Sequence, residues 1–215
     1  MSKTKQITIS VILLGLLSST ALADHSHPAS HESVGKFLAK LRGGYSMMSS
    51  SASHNSSNSA ITGSRLKGSY LGEVAIGYHF TEHMAVEGSV GYNKATLKIN
   101  GAAPVNTKIN IAPVTALVQY YFVPEATLSP YIGAGYSYQI AFGGSKGTSV
   151  SNGGGPVGQL GFDVLFDDMF GSNTLGFNFD LKYTYDAAHN IKFQNHQLKQ
   201  KVSTVATAIG VTFEF

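Results

Sequence analysis

The sequence predicts an all-β protein, an eight-stranded antiparallel transmembrane β-barrel with short periplasmic turns and four long external loops. Three observations carry that expectation. Apolar residues recur at every second position in eight successive segments, the connections between those segments alternate short and long, and the chain opens on the pattern of an export signal.

The first segment runs from Lys36 to Met47. Phe37, Ala39, Leu41, Gly43, Tyr45 and Met47 share one face, and Lys36, Leu38, Lys40, Arg42, Gly44 and Ser46 the other. Successive side chains of a strand point to opposite faces, so this is a strand with one apolar and one polar side. The same alternation returns in Tyr70 to Phe80, Met84 to Asn93, Ala112 to Phe122 and Ile132 to Ile140. It is clearest in Gln159 to Phe166, Leu175 to Tyr185 and Thr204 to Phe215, where Phe, Leu, Ile, Val and Tyr oppose Gly, Asn, Asp, Lys and Thr. Each segment is close to the 9–11 residues a tilted strand needs to cross a bilayer.

The connections give a separate signal. Thr81–His83, roughly 123–129 and roughly 167–174 are short, whereas 48–69, 94–108, 141–155 and 186–201 are long. Strict alternation of this kind puts the short turns and both chain termini on the periplasmic side and the long loops outside.

Composition agrees. Charged residues make up 13% of the chain, against roughly 25% in an ordinary soluble domain. Glycine is abundant at 24 residues, Tyr and Phe number 11 and 12, and Trp is absent, which suits a barrel that is polar inside, apolar outside and aromatic at its rims. No Cys is present, excluding disulfides, thiolate metal sites and a cysteine nucleophile. The net charge of +3 comes with no Lys/Arg run of the kind that binds nucleic acid, so it reads as scattered, solvated charge.

At the N-terminus, Lys3 and Lys5 precede an apolar run from Ile7 to Leu17 and then Ala21-Leu22-Ala23, an A-x-A cleavage pattern. The run is shorter than the ~20 residues of a spanning helix. The expected organisation is a signal peptide at 1–23, a periplasmic leader at 24–35 and the barrel at 36–215. His25, His27 and His31 cluster in that leader with Asp24 and Glu32. They read as part of a polar leader, with no second cluster to complete a metal site.

Alternation by itself also fits a soluble, lipocalin-like barrel, whose apolar face would be the interior. The export signal, the loop asymmetry and the terminal aromatic Phe215 favour the membrane barrel. A terminal aromatic on such a strand is similar to the mark by which outer-membrane proteins engage their assembly machinery.

Several stretches resemble the OmpW family of small outer-membrane barrels. Those stretches are His31 to Gly43, Leu71 to Glu87 with its Thr81-Glu82-His83 turn, Ala112 to Phe122, Pro130 to Tyr138 and Gly158 to Asp163. The resemblance keeps order and spacing across most of residues 31–215. It implies an outer-membrane location among lipids and a passage for small hydrophobic molecules through an apolar lumen opening toward the bilayer. The loops depart from the family, with a Ser/Asn tract from Ser46 to Ser59 and a Gly/Ser-rich stretch from Gly143 to Gly155.

Inside the barrel, parity places Lys36, Lys40, Arg42, Glu73, Glu87, Asp163, Asp180, Lys182 and Glu214 on the inward face. Lys40, Arg42, Glu73, Glu87, Asp163, Asp180 and Lys182 fall at middle depth. Burying them unpaired would be costly, so they are expected to form a salt-bridged plug in preference to a charge-lined gate. Leu71, Ile111, Pro113 and Val157 are the candidates for an apolar upper lumen. No outward Ser stands beside a His and no carboxylate pair lies on the lipid face, so no catalytic residue, cofactor or metal is expected. The expected function is a narrow conduit for small, mainly hydrophobic solutes. The alternative is a surface adhesin or antigen acting through its external loops.

Overall fold

The computed structural model describes residues 34–52, 61–101, 105–124, 126–142, 148–170, 173–193 and 196–215. The expected signal peptide, and the leader histidines, lie outside the described residues.

The described chain forms one antiparallel sheet of ten strands. Eight are long and make the barrel wall: β1 (Phe37–Ala52), β3 (Ser69–His79), β4 (Met84–Gly101), β5 (Val105–Tyr121), β6 (Leu128–Phe142), β8 (Gly153–Phe170), β9 (Asn173–Phe193) and β10 (His196–Glu214). Two short strands, β2 (Ile61–Lys67) and β7 (Thr148–Val150), pair with β4 and β9 at the outer end. Neighbours along the wall are neighbours in sequence, and β10 pairs with both β9 and β1, which closes the ring. At the inner end the closure is a double rung. The Phe37 amide donates to the Phe215 carbonyl at 2.8 Å and the Phe215 amide donates back at 3.0 Å.

The wall is turned with its polar face inward. Leu41, Val74, Phe177 and Ile209 are 57–68% exposed, while Arg42, Lys40, Glu87 and Asp180 are 2% exposed. A soluble barrel has the opposite arrangement, so this inversion separates the membrane barrel from the lipocalin-like alternative. Rings gather at both rims of the apolar band. Phe37 packs on Tyr78 and Phe215 at the inner rim, and Tyr45 on Tyr70 and Tyr92 on Phe142 at the outer rim.

The short connections are fixed by local hydrogen bonds. The Thr81 hydroxyl accepts from the Met84 amide at 2.9 Å, and the Ser129 hydroxyl donates to the Ala126 carbonyl at 2.7 Å. The long connections are built largely of paired strand. β4 runs on to Gly101 and β5 starts at Val105, while β9 runs to Phe193 and β10 starts at His196. The segments 94–108 and 186–201, expected as loops, are mostly ladder. Their sequences mix Lys, Asn, Gln, His and Thr with small and apolar residues, and a strand above the membrane has no need of a continuous apolar face. Likewise the turn expected at 167–174 is tighter, with Phe170 paired to Asn173 after an irregularity beyond Phe166.

Small barrels curve sharply, and one inward position shows how the sequence permits it. A Cβ on Gly44 would lie 1.9 Å from the Thr207 carbonyl oxygen, so β10 can approach β1 this closely only because the residue is Gly.

Candidate functional site

The barrel lumen divides into a sealed inner half and a less polar outer half. At the heart of the inner half is Arg42 on β1, opposite Glu73 of β3 in the ladder. Its Nη1 donates to Glu73 Oε1 at 2.7 Å and to Glu87 Oε1 at 2.8 Å. Its Nη2 donates to Glu87 Oε2 at 2.7 Å and its Nε to Asn178 Oδ1 at 2.6 Å. The planar fork of a guanidinium suits this two-point hold on a carboxylate, which a lysine could not reproduce.

Lys182 completes the Glu73 side, with Nζ 2.7 and 2.9 Å from its two oxygens. Lys40 serves the other end. Its Nζ donates to Asp163 Oδ2 at 2.8 Å and stands 4.8 Å from the centroid of the Tyr131 ring, within reach of a cation–π attraction. Asp163 also accepts from the Tyr121 hydroxyl, Asn178 and Thr212. Asp180 accepts from the Tyr131 hydroxyl at 3.0 Å and from the Gln159 amide, and lies 3.8 Å from Arg42. Gln119 bridges Glu87 and Gln159 at 3.1 and 2.8 Å.

All seven mid-depth charges expected from parity thus stand in one connected network. It draws side chains from every barrel strand, from Lys40 on β1 to Thr212 on β10. Side-chain exposure of its ion pairs is 8% or less. Charged groups lining an open aqueous channel would be wetted, so the network acts as a stopper. Lys36 and Glu214 form a separate pair at the inner rim, 3.0 Å apart.

Six of the members named above were not singled out from sequence: Gln119, Tyr121, Tyr131, Gln159, Asn178 and Thr212. Their parity was the available signal, since each shares the inward face of its strand. They carry no formal charge, and Tyr131 stands one residue before the expected start of its strand. Gly161 makes the room Tyr131 needs, because a Cβ there would lie 2.5 Å from the Tyr131 hydroxyl.

In the outer half, Leu71, Ile111 and Val157 are buried, joined by Ile109 and Val202, and Pro113 is half-buried. Ser46, Asn93, Ser137 and Gln139 lie among them, so the surface is mixed. The wall has one interruption here. The β4–β5 ladder pairs Val90 with Val114 and Asn93 with Ile111, but Gly91 and Tyr92 have no rung to Pro113 and Ala112. The β5–β6 ladder is continuous through Pro113, so the N–H that proline lacks is missing from the β4 side. Leu71 and Pro113 converge on Gly91, their side-chain carbons 3.2 and 3.0 Å from where its Cβ would be. An apolar seam with no side chain at its centre results.

The sequence matches the model of the OmpW family over residues 33–215. It is 30% identical to an uncharacterized outer-membrane protein of Sinorhizobium fredii over 153 residues, 68% of this chain and 66% of that one. With an outer-membrane protein of Rickettsia prowazekii it shares 27% over 214 residues, 90% and 87% of the two chains. Among solved structures, the barrel is similar to the outer-membrane protein OprG of Pseudomonas aeruginosa, with a TM-score of 0.68 and 20% identity, covering 86% of this chain and 97% of that one. It is also similar to the outer-membrane protein AlkL in lipid bilayers, with a TM-score of 0.57 and 17% identity over 89% and 95% of the chains.

Proposed function

The chain belongs to the OmpW family and resides in the outer membrane, and from that premise we propose that it is a passive, non-catalytic conduit for small, mainly hydrophobic solutes. Such a solute enters the outer half of the lumen from outside, meets the charged stopper, and leaves sideways into the bilayer between β4 and β5. The observation that carries this reading is the interrupted ladder at Gly91 and Pro113, directly above the stopper and beside Leu71. An apolar molecule cannot displace paired, buried charges without leaving them unsatisfied, which costs several kcal/mol. A seam lined by Leu71, Gly91 and Pro113 offers a route without that cost.

The test is uptake of an apolar fluorescent dye by proteoliposomes carrying the protein, with Gly91→Leu as the variant that fills the seam. Uptake is expected for the native protein and a several-fold reduction for the variant. Uptake no faster than in protein-free vesicles would overturn the conduit, and equal rates in both proteins would overturn the lateral route.

A further inference from the structure

Two polar atoms in the outer half of the lumen are buried with nothing to bond. The inward positions of β4 climb from Glu87 in the stopper to Ser89, whose hydroxyl accepts from Lys182 Nζ at 3.4 Å. Gly91 follows at the interrupted ladder, and then Asn93, where the ladder resumes opposite Ile111. Asn93 is 4% exposed. Its Nδ2 donates to the Ser46 hydroxyl at 3.5 Å, and Ser46 donates onward to the Ser69 carbonyl at 3.2 Å, which fixes the way the amide faces. The remaining atom, Oδ1, has no partner. Thr204 is the second case. It lies on β10, one inward position beyond Ala206, the residue opposite Ser46, and its buried hydroxyl is also unpartnered.

A buried amide oxygen without a hydrogen bond is costly, and native proteins keep few. Water is a poor remedy here. A buried water is held by about three polar groups, whereas the rung neighbours of Asn93 are Leu71 and Ile111, whose side chains offer none. A hydroxyl carried on an apolar body needs only one acceptor, and its body suits the buried Leu71, Ile111 and Val157.

We propose that the outer lumen selects apolar molecules bearing one uncharged hydroxyl, such as long-chain alcohols, with Asn93 Oδ1 receiving the hydroxyl proton and Thr204 as a second polar anchor. Ionic heads fit worse. The stopper beneath sets three cations, Lys40, Arg42 and Lys182, against four carboxylates, Glu73, Glu87, Asp163 and Asp180, and Lys182 is held by both oxygens of Glu73. That leaves no surplus positive charge for an anionic head, and a cationic head would carry its charge across the seam into hydrocarbon.

The way out has matching chemistry. On the lipid side of the gap the Tyr92 hydroxyl donates to Asn110 Oδ1 at 3.1 Å, and the Tyr92 ring centroid lies 6.0 Å from that of Phe142 on β6. Tyr92 thus leans across β5 over the missing rungs, and hydrogen-bonding groups flank the seam on both faces. The inference specifies the solute of the conduit and rests on that reading for the exit.

The experiment measures equilibrium binding of 1-decanol, n-decane, decanoate and decylammonium to the native protein in phosphatidylcholine nanodiscs. Bound probe is counted by gas chromatography, with empty discs subtracted. The native protein is expected to bind decanol about ten-fold tighter than decane, and tighter than either ion. Asn93→Leu is expected to bring decanol and decane within about two-fold of each other. Equal native affinities for decanol and decane, or a preference that survives Asn93→Leu, would overturn the proposal. So would tighter binding of decanoate or decylammonium. If Asn93→Leu fails to fold, Asn93→Ala carries the same comparison. Decanol preference without dye uptake would overturn the conduit and leave this site standing, and dye uptake without decanol preference would do the reverse.

Discussion

Arg42 and Glu87 meet across the lumen at two points, with Nη1 2.8 Å from Oε1 and Nη2 2.7 Å from Oε2, and neither side chain is more than 1% exposed. Removing one partner leaves the other charged and buried. Arg42→Met is expected to lower the unfolding free energy by about 3–5 kcal/mol, measured by urea unfolding in micelles. Adding Glu87→Gln should recover part of that loss, because Glu73 keeps Lys182. Additive losses in the double variant would contradict the pairing.

Tyr131 holds two separate contacts that substitution can separate. Tyr131→Phe removes the hydroxyl that donates to Asp180 and accepts from Asn178, and should cost about 1–3 kcal/mol. Tyr131→Leu also removes the ring beneath Lys40 and should cost about 0.5–2 kcal/mol more. Equal stabilities for the two variants would show that the ring contributes nothing through its face.

The stopper can be thinned without stranding a charge. Gln119 and Gln159 are its uncharged links across the lumen, bonded to each other at 2.8 Å. The native protein is expected to give no steady ionic current in planar bilayers. The Gln119→Ala, Gln159→Ala variant should give a measurable one, since the ion pairs around Arg42 remain but the space between them opens. A native current as large as the variant's would argue against a sealed inner half.

Adjacent glycines on β1 should respond in opposite ways. Gly44→Ala drives a Cβ to 1.9 Å from the Thr207 carbonyl oxygen and should destabilise by about 1–3 kcal/mol or more. Gly43→Ala, which meets nothing within 4 Å, should fall within about 0.5 kcal/mol of the native protein. Unfolding curves of the two variants under one condition are the check.

Period-two alternation made the faces legible. Tyr120 and Tyr121 are chemically the same, yet one is 41% exposed and the other 2%, and parity alone separates them. Depth and partnership were less accessible. Arg42 and Glu73 share a rung, but Lys40 and Asp163 are 123 residues apart and meet only after the ring closes at a particular stagger. The seam at Pro113 could be suspected from the proline, but locating it required knowing that Gly91 stands opposite. The upper part of β9 was obscured by a one-residue irregularity opposite Val202 and Thr204, which breaks the alternation carried upward from Tyr185.

The stopper also constrains how the chain reaches its place. Every barrel strand contributes to it, and β1 cannot be closed until β10, made last, arrives at Phe37. An open intermediate with some strands in lipid would hold Arg42 or Lys40 beside hydrocarbon with their partners still outside. Such a state is disfavoured more strongly than the missing ladder alone would explain. Insertion of this barrel is therefore close to all-or-none, because its interior becomes neutral enough for the bilayer only when the circle is complete.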